Sequence, residues 1–161
     1  MNQSNPREPR SAGVSAPLAV AMAVISFIAL VVLGLGFWSL LAETDVISVP
    51  GLGQAPGVIG MAVAMATLGG SLAFVLRSRT APFSAAFVIA LLTALMHVGT
   101  VWMVVASGGA LLSATAVVGQ LILGGASAII AVAALIAAWG GIALRRTHVE
   151  RPRWPWERND S

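Results

Sequence analysis

The sequence predicts an all-α integral membrane protein: four transmembrane helices in an up-down bundle, with both termini in the cytoplasm. Three observations predict it. Four long apolar runs are separated by charged or Gly/Pro-rich stretches. Hydrophobic residues make up 58% of the 161-residue chain and charged residues only 9%, where soluble domains carry roughly a quarter charged. All nine basic residues are Arg, and they recur at every second boundary between the runs. So small a globule cannot hide that much apolar surface from water, and lipid is the solvent that suits it.

Residues 1–17 are polar, with Pro6, Arg7, Pro9 and Arg10, and read as a short disordered cytoplasmic tail. The first run, residues 18–41, contains no charge; about 20 apolar residues cross the hydrocarbon core. A cleaved signal peptide has a shorter apolar region, roughly 7–15 residues. The candidate cleavage site Leu40-Leu41-Ala42 also lacks a small residue at its first position. A retained signal anchor is therefore expected. A loop with Glu43, Asp45, Pro50, Gly51, Gly53 and Pro56 leads to the second run, residues 58–76, which Arg77 and Arg79 end. Pro82 is expected to open the third run, residues 83–106, where a helix tolerates proline. Ser107-Gly108-Gly109 breaks it. The fourth run, residues 111–144, exceeds one crossing, so it is either tilted or begins along the interface. Arg145 and Arg146 close it, and residues 147–161 form a charged cytoplasmic tail.

Arg is retained on the cytoplasmic side of short loops. Arg7 and Arg10 precede the first run, Arg77 and Arg79 lie between the second and third, and five more follow the fourth. The other two loops hold none. Only four spans with both ends inside put every arginine on one side. Phe37, Trp38 and Trp102 fall at the outer ends of spans and Trp139 near an inner end, headgroup levels where aromatic rings are enriched. The localisation that follows is the cell inner (plasma) membrane, multi-pass.

Helices in lipid associate by close packing and hydrogen bonds. Ala62, Ala66 and Gly70 in the second span, and Ala133, Ala137 and Gly141 in the fourth, recur at intervals of four. Each row suits packing within the bundle or a homodimer seam.

His97 is the one ionisable side chain deep in a span. At about 100° per residue, Ala86, Ala90, Thr93, Ala94, Thr100 and Val104 share its face, while Val88, Leu91, Leu92, Leu95, Trp102 and Met103 lie opposite. The small, polar side suits the interior. A polar group in hydrocarbon is costly unless hydrogen-bonded. Thr67, Gln120 and Ser127 are candidate partners by depth, and Thr93 and Thr100 locally. Two readings stay open: neutral His97 as interhelical glue, or as a proton-relay or ligand-binding residue. A relay ordinarily needs further titratable groups, and no carboxylate lies within a span.

No phosphate loop and no zinc-protease His-Glu spacing occurs. Without Cys, disulfides and thiolate chemistry are excluded. No catalytic, cofactor or metal residues are expected. Gly69-Gly70 and Gly124-Gly125 read as packing glycines within helices, and Glu43 and Asp45 as a solvated loop. The net charge of +3 comes from arginines scattered at segment ends, which argues against a nucleic-acid partner. Arg77-Ser78-Arg79 and Arg145-Arg146 suit anionic headgroups. In residues 151–157, Arg-Pro-Arg-Trp-Pro-Trp-Glu, the tryptophans suit the headgroup layer, or the string docks a cytoplasmic partner.

With that tail, its four short spans and its Arg-only basic residues, the chain resembles the uncharacterised small four-span membrane proteins of high-GC actinobacteria. The resemblance implies no activity. Small multidrug-resistance transporters also have four spans but carry a membrane-embedded Glu in the first, and residues 18–41 contain no acid. The expected function is that of a non-enzymatic accessory or partner subunit, with membrane lipids and another membrane protein or a second copy as partners. The alternative is a small transporter or a channel-like protein that binds protons or a ligand through His97.

Overall fold

A computed structural model describes residues 14–42, 54–78, 81–109 and 111–146. Among them all regular structure is helical: α1 (Ala16–Ala42), α2 (Ala55–Val75), α3 (Ala85–Ser107), α4 (Leu111–Leu123) and α5 (Ala126–Arg146). The acid pair Glu43 and Asp45, residues 1–13 and 147–161 of the two tails, and Arg79 lie outside the described residues; Ala16 and Pro17, expected in the tail, open α1 instead. Helices suit these sequences because hydrocarbon offers no hydrogen bonds to the backbone, so each segment must satisfy its own. Four of the five (α1, α2, α3 and α5) are long and apolar enough to cross a membrane.

The fourth apolar run is not one helix. It divides into α4 and α5 at Gly124-Gly125. Gly125 has φ +83°, a left-handed conformation that ends helices and favours glycine. The Gly124 N–H donates to the Gln120 carbonyl at 2.7 Å and closes α4. These two glycines are therefore a helix break rather than packing residues within a helix. The 13 residues of α4 rise about 20 Å, short of the roughly 30 Å hydrocarbon core. The prolines also differ from expectation. Pro56 sits in the first turn of α2 rather than in the loop. Pro82 instead starts the turn before α3, where its carbonyl accepts from the Ala85 N–H at 3.1 Å.

The long helices contact one another in the cyclic order α1–α2–α3–α5, and α4 rests mainly on α3. Arg145 donates to the Val14 carbonyl at 3.2 Å, and Arg146 to the Ala81 carbonyl. The start of α1, the α2–α3 connection and the end of α5 thus meet at one end of the molecule. At the other end Trp38 lies against Gly125, where an added Cβ would come within 3.3 Å of the indole.

The interior is built largely from small residues. Ala19, Ala23, Ala64, Ala86, Ala90, Ala133, Ala134, Ala137 and Ala138 are buried, while Leu33, Phe74, Phe87, Val88 and Met103 point outward. Large apolar side chains on the outside are costly in water and suit lipid. The two small-residue rows part company here. Ala133, Ala137 and Gly141 are buried, with Gly141 facing Leu72 and Ala23. Ala62, Ala66 and Gly70 are exposed, and α2 instead buries Pro56, Gly60, Ala64, Leu68 and Leu72.

Candidate functional site: a buried polar pair between α2 and α3

The face of α3 that carries Thr93 and His97 is turned inward. Thr93 is fully buried and His97 is 4% exposed, whereas Val88, Leu91, Leu95 and Met103 are 60–67% exposed. The inward face is Ala86, Ile89, Ala90, Thr93, His97, Val101 and Val105, recurring every three or four residues as a 3.6-residue period requires. Thr100 and Val104 fall at its margin.

The imidazole fits because α2 has no side chain opposite it. A Cβ at Gly60 would lie 3.1 Å from both Cε1 and Nδ1 of His97, and 2.7 Å from Val101. Gly60 is the residue that seats the histidine. Its signal in the sequence was the interval of four in Pro56, Gly60, Ala64 and Leu68, which competes with the Ala62–Ala66–Gly70 row on the same helix. His97 Nδ1 lies near the Gly60 backbone without hydrogen-bond geometry.

The other candidate residues do not converge on His97. The Thr67 hydroxyl donates to the Val63 carbonyl at 2.8 Å, and Thr100 to Met96 at 2.6 Å. Gln120 and Ser127 are half-buried on α4 and α5. Among the described residues none of Thr67, Gln120 or Ser127 forms a hydrogen bond with His97.

Thr93 is set apart from most helical hydroxyls in this chain. Thr67, Ser71, Thr100, Ser107 and Thr115 all bond to carbonyls three or four residues back. Among the described residues Thr93 Oγ1 is buried without a partner, as are His97 Nδ1, Ser127 Oγ and Arg145 Nε. Thr93 and His97 lie one turn apart, so two buried polar atoms without hydrogen-bond partners among the described residues sit on the same inward face of α3.

Two grooves of about 350 and 330 Å³ open on the outer surface. One lies between α2 and α3 beside Phe74 and Val88, the other between α1 and α5 beside Gly34 and Val132. Neither is lined by His97 or Thr93.

No curated protein and no solved structure matches the chain. A family model described as a family of unknown function matches residues 11–161. With nearly its whole length covered and four helices of membrane-spanning length, the chain is a membrane protein of the DUF6121 family.

Proposed function

We propose that this protein is a non-enzymatic accessory subunit of the plasma membrane, seated with its arginine end in the cytoplasm and packed against another membrane protein. The observation that carries this is the outward face of α2. Ala62, Ala66, Gly70 and Ala73 are exposed at intervals of three and four, and a Cβ at Gly70 would meet no atom within 4 Å. The outward face of α3, by contrast, is bulky, with Phe87, Val88, Leu91, Leu95 and Met103, whereas α2 buries Leu68 and Leu72 and turns this row of small residues outward. Small residues let a second helix approach closely, which is how membrane helices associate. The resemblance to actinobacterial four-span proteins adds no activity that would compete with this reading.

The chain has no Cys, so a single introduced thiol is unique. Ala66→Cys should cross-link to a membrane protein of the native host, while Val88→Cys, on the bulky outward face of α3, should not. Equal cross-linking from both positions, or none from either after purification in mild detergent, would count against the proposal.

A second reading is favoured by the unpaired Thr93 and His97 atoms, which suit a transporter or channel-like protein that binds a proton or ligand. Flux in liposomes that is lost in both His97→Ala and His97→Gln, with the fold kept, would support that reading over the first.

A further inference from the structure

At the arginine end, the three described arginines are not equivalent. Arg145 and Arg146 are each committed to a backbone carbonyl, of Val14 and Ala81, and the Arg146 guanidinium also lies 4.4 Å from the centre of the Phe83 ring. Arg77 has no hydrogen-bond or ion-pair partner for its guanidinium among the described residues. It is exposed just past α2, 5.7 Å from the centre of the Phe74 ring.

Phe74 is also a wall of the larger outer groove. That groove of about 350 Å³ runs between the last turn of α2 and the first two turns of α3, lined by Phe74, Val75, Ala85, Val88, Ile89 and Leu92 together with Ser71. The Ser71 hydroxyl is turned back onto the Thr67 carbonyl, so its one donor is spent within α2. On α3 the lining covers residues 85–92, about 10 Å of helix rise. The groove therefore starts at the level of the arginines and descends into the hydrocarbon layer.

An apolar channel of that depth with a free cation at its head matches one kind of molecule, an amphiphile with an anionic head and an alkyl tail. We propose that this groove is a binding site for an anionic phospholipid, with the acyl chain lying between α2 and α3 and the phosphate paired with Arg77. The planar guanidinium suits phosphate oxygens in a two-pronged contact, and the walls offer the tail only apolar contact. This goes beyond the general attraction of arginines to negative headgroups, because it assigns one arginine and one groove.

The test is native mass spectrometry of the full-length protein in detergent, with phosphatidylglycerol or phosphatidylcholine of equal chain length added. The wild type should retain phosphatidylglycerol preferentially. Arg77→Gln should weaken retention roughly tenfold, the scale of a hydrogen bond to a charged group, and Arg146→Gln by less than twofold. Val88→Trp, which fills the groove from an exposed position, should weaken retention while Arg77 is intact. Free inorganic phosphate in millimolar excess should not displace the lipid. Equal losses in Arg77→Gln and Arg146→Gln would reduce the effect to diffuse charge and overturn the site. So would equal retention of the two lipids, unchanged retention in Val88→Trp, or displacement by phosphate.

Discussion

The His97 imidazole rests on the backbone of Gly60, at a distance that leaves no room for a methyl group between them. Gly60→Ala would place its Cβ 2.7 Å from Val101 and 3.1 Å from the ring, so α2 and α3 must separate or the ring must turn. Overpacking of this kind costs about 1–3 kcal/mol. The expected outcome is a lower melting temperature in detergent, measured by tryptophan fluorescence. His97→Ala in the Gly60→Ala background should recover part of the loss, because it removes one of the two clashing groups. An unchanged melting temperature for Gly60→Ala would mean that the two helices are not this close.

Thr93 yields an opposite sign. Its hydroxyl is buried without a partner among the described residues, and such a group destabilises by about 1–3 kcal/mol. Valine has nearly the same shape and no hydroxyl. Thr93→Val should therefore leave the melting temperature unchanged or raise it, unlike most core substitutions. If the same variant abolishes a measurable flux or partner activity while melting higher, the hydroxyl is kept for function. A lower melting temperature would show that Thr93 has a structural partner.

The span count and the inward turn of His97 were legible because both rest on strong periodic signals. Residues 18–41 contain no charge, and the alternation of Val88, Leu91 and Leu95 with Ala90, Thr93 and His97 separates two faces cleanly. What packs against His97 was not legible. Depth in the membrane made Thr67, Gln120 and Ser127 equally possible partners, but depth does not give rotation, and hydroxyls in helices have a nearer acceptor in the preceding turn. Thr67 takes that acceptor. The packing face of α2 was not legible for a related reason. Small residues occupy both Gly60–Ala64 and Ala62–Ala66–Gly70, so composition alone cannot say which row faces inward. The break at Gly124-Gly125 was hidden by the continuous hydrophobicity on either side, since a glycine pair can serve packing or a left-handed turn.

Gly125 and Gly70 should therefore respond differently to the same substitution. Gly125→Ala forces an alanine into the left-handed region, at about 1–2 kcal/mol, and brings its Cβ to 3.3 Å from Trp38. Gly70 lies in regular helix with open space around it, so Gly70→Ala gains helix propensity, up to about 1 kcal/mol. Thermal melts of the two variants in the same detergent should shift down and up respectively. A destabilised Gly70→Ala would mean that a second chain already occupies that face under the conditions of the melt.

The arginine end carries the last prediction, which concerns sidedness. Val14, Ala81, Arg145 and Arg146 are joined by hydrogen bonds, so the start of α1, the α2–α3 connection and the end of α5 must lie on one side of the membrane. The positive-inside tendency predicts that this side faces the cytoplasm. Reporter fusions after Arg79 should then read cytoplasmic, and fusions after Gln54 and Gly109 extracytoplasmic. A fusion after Gly124 adds a stricter test. Its neighbour Gly125 is packed on Trp38 at the far end of α1, so this fusion must also read extracytoplasmic. A cytoplasmic signal there would mean that α4 crosses the membrane despite its 13 residues, and the four-span topology would fail with it.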